Sequence, residues 1–155
     1  MTHKNLIKIG KRWLKLQEKC NVIISEKSNG TEIPDILGFK TARHSVIIEC
    51  KTSRSDFRAD AKKWFRQENL GMGQTRYFLA PLGIIPKEEL PPGWGLLEVD
   101  GNAVITTIKC DLLCFNEMRC WAEMPLLIAV IRKLQWTNYN LRKELRKKAG
   151  SNKKR

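Results

Sequence analysis

Residues 32–51 read EIPDILGFKTARHSVIIECK, and an uninterrupted β-branched run, VII, occupies residues 46–48. Such a run, bounded by polar turn residues, predicts a strand that is buried on both faces. Because side chains alternate across a strand, Glu49 and Lys51 project from one face and Cys50 projects from the other. A carboxylate and an ammonium are costly to bury without a partner or a task. The end of this strand is therefore the first candidate for a functional site.

A second acidic residue precedes this strand, in the dipeptide Pro34-Asp35. If the segment that follows Asp35 pairs with the VII strand as a hairpin, the carboxylate comes beside Glu49 and Lys51. The arrangement of Pro-Asp followed by Glu-x-Lys resembles the motif of the metal-dependent nuclease superfamily that is named PD-(D/E)xK after it.

Residues 49–64, ECKTSRSDFRADAKKW, make the resemblance more specific. They resemble the MmcB-like DNA-repair branch, in which Glu-x-Lys-Ser/Thr-Ser precedes Asp-Phe-Arg-x-Asp and a Lys-Trp pair. The resemblance covers residues 11–81, about half of the chain. It implies the α-β-β-β-α-β core of restriction endonucleases and Holliday-junction resolvases, an α/β (α+β) fold with a mixed central sheet.

The resemblance also implies a set of site residues. Asp35 and Glu49 would hold Mg²⁺, with Mn²⁺ as a substitute, together with the backbone carbonyl of Cys50. Lys51 would orient the attacking water or stabilise the developing charge. Glu26, at the end of the first strand, is open as a third acidic ligand, although an exposed strand-end carboxylate is the favoured interpretation. The alternative for the whole site is an ordinary Glu–Lys pair.

Composition favours a polyanionic partner. Lys and Arg outnumber Asp and Glu by 29 to 16 in 155 residues, which gives a formal net charge of +13. Nucleic acid is the commonest partner of such a chain, and a merely soluble or ribosome-like basic protein is the alternative. No signal peptide is expected, because basic residues interrupt the N-terminal region, and the apolar run at 125–131 is too short to span a bilayer. We therefore expect a cytoplasmic protein, prokaryotic or phage-encoded.

After Lys51 the pattern changes to that of a helix. Ser53 and Asp56 have the spacing of a capping box, so Asp56 is favoured as a helix-start acid over a catalyst. Phe57 and Trp64 lie on one stripe of this helix, which we expect to face the core and to end near Gly71. Basic residues near this helix are open to two interpretations, a solvated surface or contact with phosphate: Arg54, Arg58, Lys62, Lys63 and Arg66.

The rest of the chain predicts a strand at 75–81, a proline-rich connection, and a hairpin whose strands flank Asp100-Gly101-Asn102. We expect residues 1–124 to form the nuclease-like domain, 125–148 an amphipathic helix, and 149–155 a basic tail. Three cysteines precede that helix, namely Cys110, Cys114 and Cys120. Their irregular spacing favours packed thiols over a zinc site.

The last helix carries apolar residues at alternating four- and three-residue steps, with one asparagine among them: Leu127, Ile131, Leu134, Asn138, Leu141 and Leu145. This heptad seam fits a helix pair or homodimer, and equally fits packing on the chain's own core. Its end is basic and is favoured as a nucleic-acid arm over a solubilising tail. The residues expected to contact phosphate there are Arg142, Lys143, Arg146 and Lys147.

Together these features predict a Mg²⁺-dependent DNA endonuclease that hydrolyses phosphodiester bonds in DNA repair, recombination or phage DNA processing. One alternative is a catalytically idle protein that binds DNA or RNA on the same fold. Another is a basic RNA-binding or assembly protein in which the motif occurs by chance. The predicted substrate is DNA, and the sequence leaves open whether it is a duplex, a junction, a flap or a single strand.

Overall fold

The computed structural model describes residues 1–26, 33–61, 63, 71–111 and 117–152. Lys62, Trp64, Arg66, Cys114 and the end of the basic tail, about which the sequence makes predictions, lie outside these ranges. The described helices and strands follow one another in this order: α1 (His3–Leu16), β1 (Val22–Ser25), β2 (Ile36–Thr41), β3 (His44–Cys50), α2 (Arg54–Ala61), β4 (Thr75–Pro81), a 3₁₀ turn (Lys87–Glu89), β5 (Gly95–Asp100), β6 (Ala103–Ile108) and α3 (Glu117–Asn152).

The strands form one mixed sheet in the order β1-β2-β3-β4-β5-β6. Strands β1, β2 and β3 are antiparallel neighbours, β3, β4 and β5 run parallel, and β6 returns antiparallel to β5. A parallel pair needs a crossover, and α2 lies in the connection between β3 and β4. The expected α-β-β-β-α-β core is therefore confirmed, as is the added hairpin at the sheet edge.

One face of the sheet is covered by α1. Leu6, Trp13 and Leu14 are buried there against side chains of β2, β3 and β4. Gly10 allows the close approach of this helix, because a Cβ atom at that position would lie 2.5 Å from the Ile36 Cδ1 atom. The helix ends at Leu16, earlier than an apolar stripe extending to Cys20 suggests, and Leu16 is half exposed.

The opposite face is aromatic and packs against α2. Phe57 is 1% exposed and meets Phe78 edge-to-face, with ring centroids 5.0 Å apart. Phe78 in turn stacks on Trp94 at 4.4 Å. Phe57 is therefore a core residue, as its place on the helical stripe predicts. The central strand β3 lies between these two layers, and the run at 46–48 is fully buried.

The predicted capping box begins α2. The Ser53 hydroxyl accepts a hydrogen bond from the Asp56 N–H at 3.2 Å, and an Asp56 carboxylate oxygen accepts one from the Thr52 N–H at 3.4 Å. These bonds satisfy donors that a helix start otherwise leaves unpaired. Asp56 is thus occupied at the helix start, as expected for a capping residue.

Helix α3 differs most from the prediction. It begins at Glu117 instead of Pro125 and continues to Asn152, with Pro125 inside it. Tertiary contacts hold the early turns, because a carboxylate oxygen of Glu123 accepts hydrogen bonds from the Gly73 N–H at 2.9 Å and from the Ser45 hydroxyl at 2.5 Å. The expected boundary between residues 124 and 125 therefore falls within one continuous helix. Within the described part of the chain, no helix has the length and apolar character that crossing a membrane requires.

Candidate active site

The hairpin of β2 and β3 brings Asp35 to the end of the central strand. Ile36 is paired with Ile48 in the antiparallel register, so Asp35 lies opposite Glu49 and within reach of Cys50. A carboxylate oxygen of Asp35 (Oδ2) accepts a hydrogen bond from the Cys50 N–H at 2.7 Å. Asp35 keeps 19% of its side chain exposed, which leaves it at the surface of the site and not in the core.

Glu49 and Lys51 lie together on the α2 side of β3. The Lys51 Nζ atom is 3.8 Å from the Glu49 Oε2 atom, and the side chains are only 6% and 3% exposed. Their alternation with Cys50 follows from the period of the strand. The structure thus places the three residues of the motif at one strand end, although their expected roles remain predictions.

Asp60 joins this group from α2. Its Oδ1 atom lies 3.4 Å from the Lys51 Nζ atom and 2.5 Å from the Lys63 Nζ atom, and its side chain is 1% exposed. In the sequence, Asp60 stands out only as the last residue of the DFRAD segment, and no functional role is predicted for it. The helical period could have located it, because Asp60 lies three residues after the buried Phe57 and so shares its face.

The site gathers carboxylates and ammonium groups. The carboxylates are those of Asp35, Glu49 and Asp60, and the ammonium groups are those of Lys51 and Lys63. Burying a carboxylate is costly, and a bound cation offsets part of that cost. The Asp35 and Glu49 carboxylates are therefore candidate ligands for a cation.

His3 approaches the site from the N-terminus of α1. Its Nε2 atom lies 3.2 Å from the Asp35 Oδ2 atom, the same oxygen that accepts the Cys50 hydrogen bond. The ring is 41% exposed. Sequence reasoning did not single out His3, because it is separated from the motif by the whole of α1 and β1.

The donors at this site are hard oxygen ligands. The N–H and C=O of a strand residue point toward the same neighbouring strand, so the Cys50 carbonyl faces the β2 side on which Asp35 lies. The Cys50 thiol points to the α1 layer, where it is buried, and burial together with the charges of Asp35 and Glu49 raises its pKa. Two carboxylates and a carbonyl fit Mg²⁺, which keeps several waters of its own. Among the described residues, no group of three or more His, Cys, Asp or Glu side chains is arranged to hold a metal.

Glu26 lies at the end of β1, near this site. Its N–H is 3.2 Å from the carbonyl oxygens of Pro34 and Asp35, and its φ of 51° is in the left-handed region. The side chain is exposed. This position agrees with the favoured interpretation of a strand-end carboxylate, and the third-ligand role remains a prediction.

Comparison with known proteins supports the fold alone. No family model matches the chain, and no curated protein matches it. The chain is similar to a solved structure, the SPO1766 protein of unknown function from Silicibacter pomeroyi. The two share 24% identity with a TM-score of 0.65, and the match covers 89% of this chain and 92% of that chain.

The basic residues of α2 are engaged within the protein. Arg58 forms hydrogen bonds to both carboxylate oxygens of Glu89, at 2.8 and 3.0 Å, and Arg54 contacts the same carboxylate. Hydrogen bonds from the two guanidinium groups lower the pKa of Glu89 to about 2. Any phosphate that binds Arg54 or Arg58 therefore competes with Glu89. The sequence alone does not predict this competition.

The remaining predicted residues divide between α3 and the cysteines. The four basic residues expected to contact phosphate on α3 are exposed, and they line a shallow surface with Tyr139. Cys110 is a buried free thiol whose pKa is raised by burial. Cys114 and the side chain of Cys120 lie outside what the structure describes, so the zinc alternative is not tested.

Proposed function

We propose that the protein is a metal-dependent DNA endonuclease whose active site is the end of β3. One observation carries the proposal. The Asp35 carboxylate is fixed by the Cys50 N–H, beside a buried pair formed by Glu49 and Lys51. Two carboxylates can hold a metal ion that assists phosphodiester hydrolysis, and an ammonium beside them can stabilise negative charge that develops on oxygen.

Each residue of this site would have a separate role in catalysis. Asp35 and Glu49, with the Cys50 carbonyl, would hold one or two Mg²⁺ ions, or Mn²⁺ in their place. Such an ion, when bound, polarises the phosphoryl oxygen and lowers the pKa of a water ligand. The Cys50 N–H orients the Asp35 carboxylate. Lys51 supplies positive charge where the transition state accumulates negative charge on oxygen.

Asp60 completes this arrangement as a positioning residue. It contacts the Lys51 ammonium at 3.4 Å, and Glu49 contacts the same ammonium at 3.8 Å. A lysine side chain has several rotatable bonds, and two anionic contacts restrict where its ammonium lies. Positioning of this kind lowers the entropic cost of reaching the transition state.

Charge supports nucleic acid as the substrate. The formal net charge of +13 attracts a polyanion over long range, and the exposed basic residues of α3 suit contacts to phosphates. Phosphate contacts position a nucleic acid without reading its sequence. DNA rather than RNA follows from the resemblance to the DNA-repair branch of the nuclease superfamily.

Incubation with nucleic acid tests the proposal. Supercoiled plasmid, linear duplex, branched oligonucleotides and a matching RNA are each incubated with Mg²⁺, Mn²⁺ or EDTA. We expect nicking or cleavage of DNA with either metal and none with EDTA. Glu49→Gln should abolish cleavage, whereas Asp56→Asn, a change at the exposed start of α2, should preserve it. Binding without cleavage of any substrate would favour the catalytically idle alternative, and cleavage of RNA alone would overturn the choice of DNA.

A further inference from the structure

Helix α3 leaves the body of the protein soon after it begins. Leu126 is fully buried and Glu123 is 5% exposed, and these two residues seat the helix against the sheet layer. Residues 131–139 are all exposed. The segment from Leu126 to Asn152 continues for about 39 Å at 1.5 Å per residue. Packing of the heptad seam on the chain's own core, one of the two alternatives from sequence, is therefore not what the structure shows.

The protruding segment exposes an aliphatic seam. The exposed fractions are 53% for Ile131, 58% for Leu134, 52% for Leu141 and 66% for Leu145. These residues recur at heptad spacing, with isoleucine or leucine at the a positions and leucine at the d positions. Asn138, also exposed, occupies the central a position. Contiguous apolar surface of this kind marks an interaction site.

The seam and the attachment to the body lie on different sides of the helix. At 3.6 residues per turn, the middle of the a/d seam is rotated by about 100° from Leu126. Burial of Leu126 therefore leaves the seam available. A partner helix could run along it with the body of the protein on the outside.

We propose that α3 pairs with α3 of a second copy of this chain, as a parallel two-stranded coiled coil. Ile131 at a with leucine at d favours two strands, and a single asparagine at a specifies a parallel dimer in register. An asparagine amide in an apolar seam needs a polar group at its own level. Asn138 of an identical helix in register supplies it.

The placement of charges along α3 and the area that pairing would bury also favour a second copy of this chain as the partner. The basic residues of the helix lie mainly at the outer b, c and f positions, among them Arg132, Lys133 and Lys143. In a parallel pair the flanking g and e positions oppose Thr137 to Arg142 and Glu144 to Ala149, so no like charges meet at these positions. The apolar seam ends at Leu145, because the next d position in the sequence is Lys148. Two helices in contact from Leu127 to Leu145, about 19 residues, bury on the order of 1,000 Å² in total, the lower bound for a specific interface.

Pairing would bring the basic ends of the two helices together. The exposed basic residues Lys143, Arg146 and Lys147 would then occur twice along one rod, facing away from the seam, with Arg142 at its flank. Two copies of the β3 site would be tied to the same rod. The inference does not depend on the proposed nuclease activity, because it concerns only the helix and its partner.

The oligomeric state tests the proposal. Sedimentation velocity of the full chain, between about 1 and 100 µM, measures the mass relative to the 17.9 kDa of one chain. We expect a concentration-dependent dimer. The double variant Leu134→Glu with Leu141→Glu should be monomeric throughout this range. The matched control, Trp136→Glu with Tyr139→Glu, changes residues of similar exposure on the outer face and should dimerise like the wild type.

Cross-linking distinguishes a parallel pair of helices from other arrangements. Its result holds even if the double variant of the seam is unstable. Under mild oxidation, Leu141→Cys should give a disulfide-linked dimer, because equivalent d positions face each other in a parallel pair. Tyr139→Cys should not. A wild-type protein that is monomeric at about 100 µM, a trimer or larger assembly, or equal cross-linking of both cysteine variants would overturn the proposal.

Discussion

Replacing Asp60 with asparagine removes a buried negative charge beside Lys51. The Lys51 side chain is 6% exposed, and its ammonium contacts the Asp60 carboxylate at 3.4 Å and the Glu49 carboxylate at 3.8 Å. Asparagine keeps the shape and one hydrogen-bond acceptor but not the charge. The variant therefore leaves Lys51 buried with the longer of its two ionic contacts.

The expected loss of stability follows from the burial of the Lys51 ammonium. Removing one partner of a buried ion pair costs about 3–5 kcal/mol. Glu49 stays in place and the asparagine oxygen can still accept a hydrogen bond, so we expect a loss of about 2–3 kcal/mol in the free energy of unfolding. With a urea dependence of about 1–3 kcal/mol per molar, the unfolding midpoint should fall by about 0.7–3 M. Far-UV circular dichroism during urea titration measures this midpoint.

Lys63→Met provides the control for Asp60→Asn. The Lys63 ammonium also contacts Asp60, at 2.5 Å, but its side chain is 49% exposed. An exposed partner of this kind contributes only about 0–1 kcal/mol. The variant should unfold close to the wild-type midpoint. The account of the buried network is refuted if Asp60→Asn unfolds like Lys63→Met, or if both unfold like the wild type.

Three other variants test the core and the basic surfaces. Phe57→Ala should lower the free energy of unfolding by about 3–5 kcal/mol in a urea titration, because its ring is buried against Phe78; a loss below about 1 kcal/mol would contradict its place in the core. Glutamine replaces four basic residues of α3 in the second variant: Arg142, Lys143, Arg146 and Lys147. The slope of log DNA affinity against log salt should flatten by up to about 3.6, and an unchanged slope would exclude phosphate contacts there. Glu89→Gln should release Arg54 and Arg58 and tighten DNA binding at low salt in an anisotropy titration; unchanged affinity would show that these arginines do not meet DNA.

The parts of the fold that the sequence predicts are those with local causes. The run at 46–48 predicts a strand buried on both faces, and strand alternation places Glu49 and Lys51 on one side of it. Ser53 and Asp56 start α2 through bonds between near neighbours. Gly101-Asn102 joins two paired strands directly after Asp100, as a turn signal between apolar segments predicts.

The parts that the sequence does not predict depend on contacts between distant residues. His3 meets Asp35 only because α1 packs across the sheet, and no periodic pattern links the two positions. The early start of α3 depends on the buried hydrogen bonds of Glu123 to Gly73 and Ser45. Tertiary contacts of this kind override local propensity.

The heptad seam illustrates a different gap between sequence and structure. Its spacing identifies an apolar stripe, but a stripe alone does not say whether it faces the chain's own core or another helix. Only the fold shows that α3 leaves the body after Leu126 and that Leu134 stays exposed. Likewise, basic side chains near a helix start suggest phosphate contacts, and the structure reveals that Glu89 already holds Arg58.

Isothermal titration with Mn²⁺ tests the central claim most directly, because it asks whether the end of β3 is a metal site whose residues have separate roles. Wild-type protein should bind Mn²⁺, and Asp35→Asn and Glu49→Gln should each bind it at least tenfold more weakly, which corresponds to about 1.4 kcal/mol. Lys51→Met should bind Mn²⁺ like the wild type and yet fail to cleave DNA. Absence of Mn²⁺ binding by the wild type, or binding by Glu49→Gln with wild-type affinity, would contradict the account.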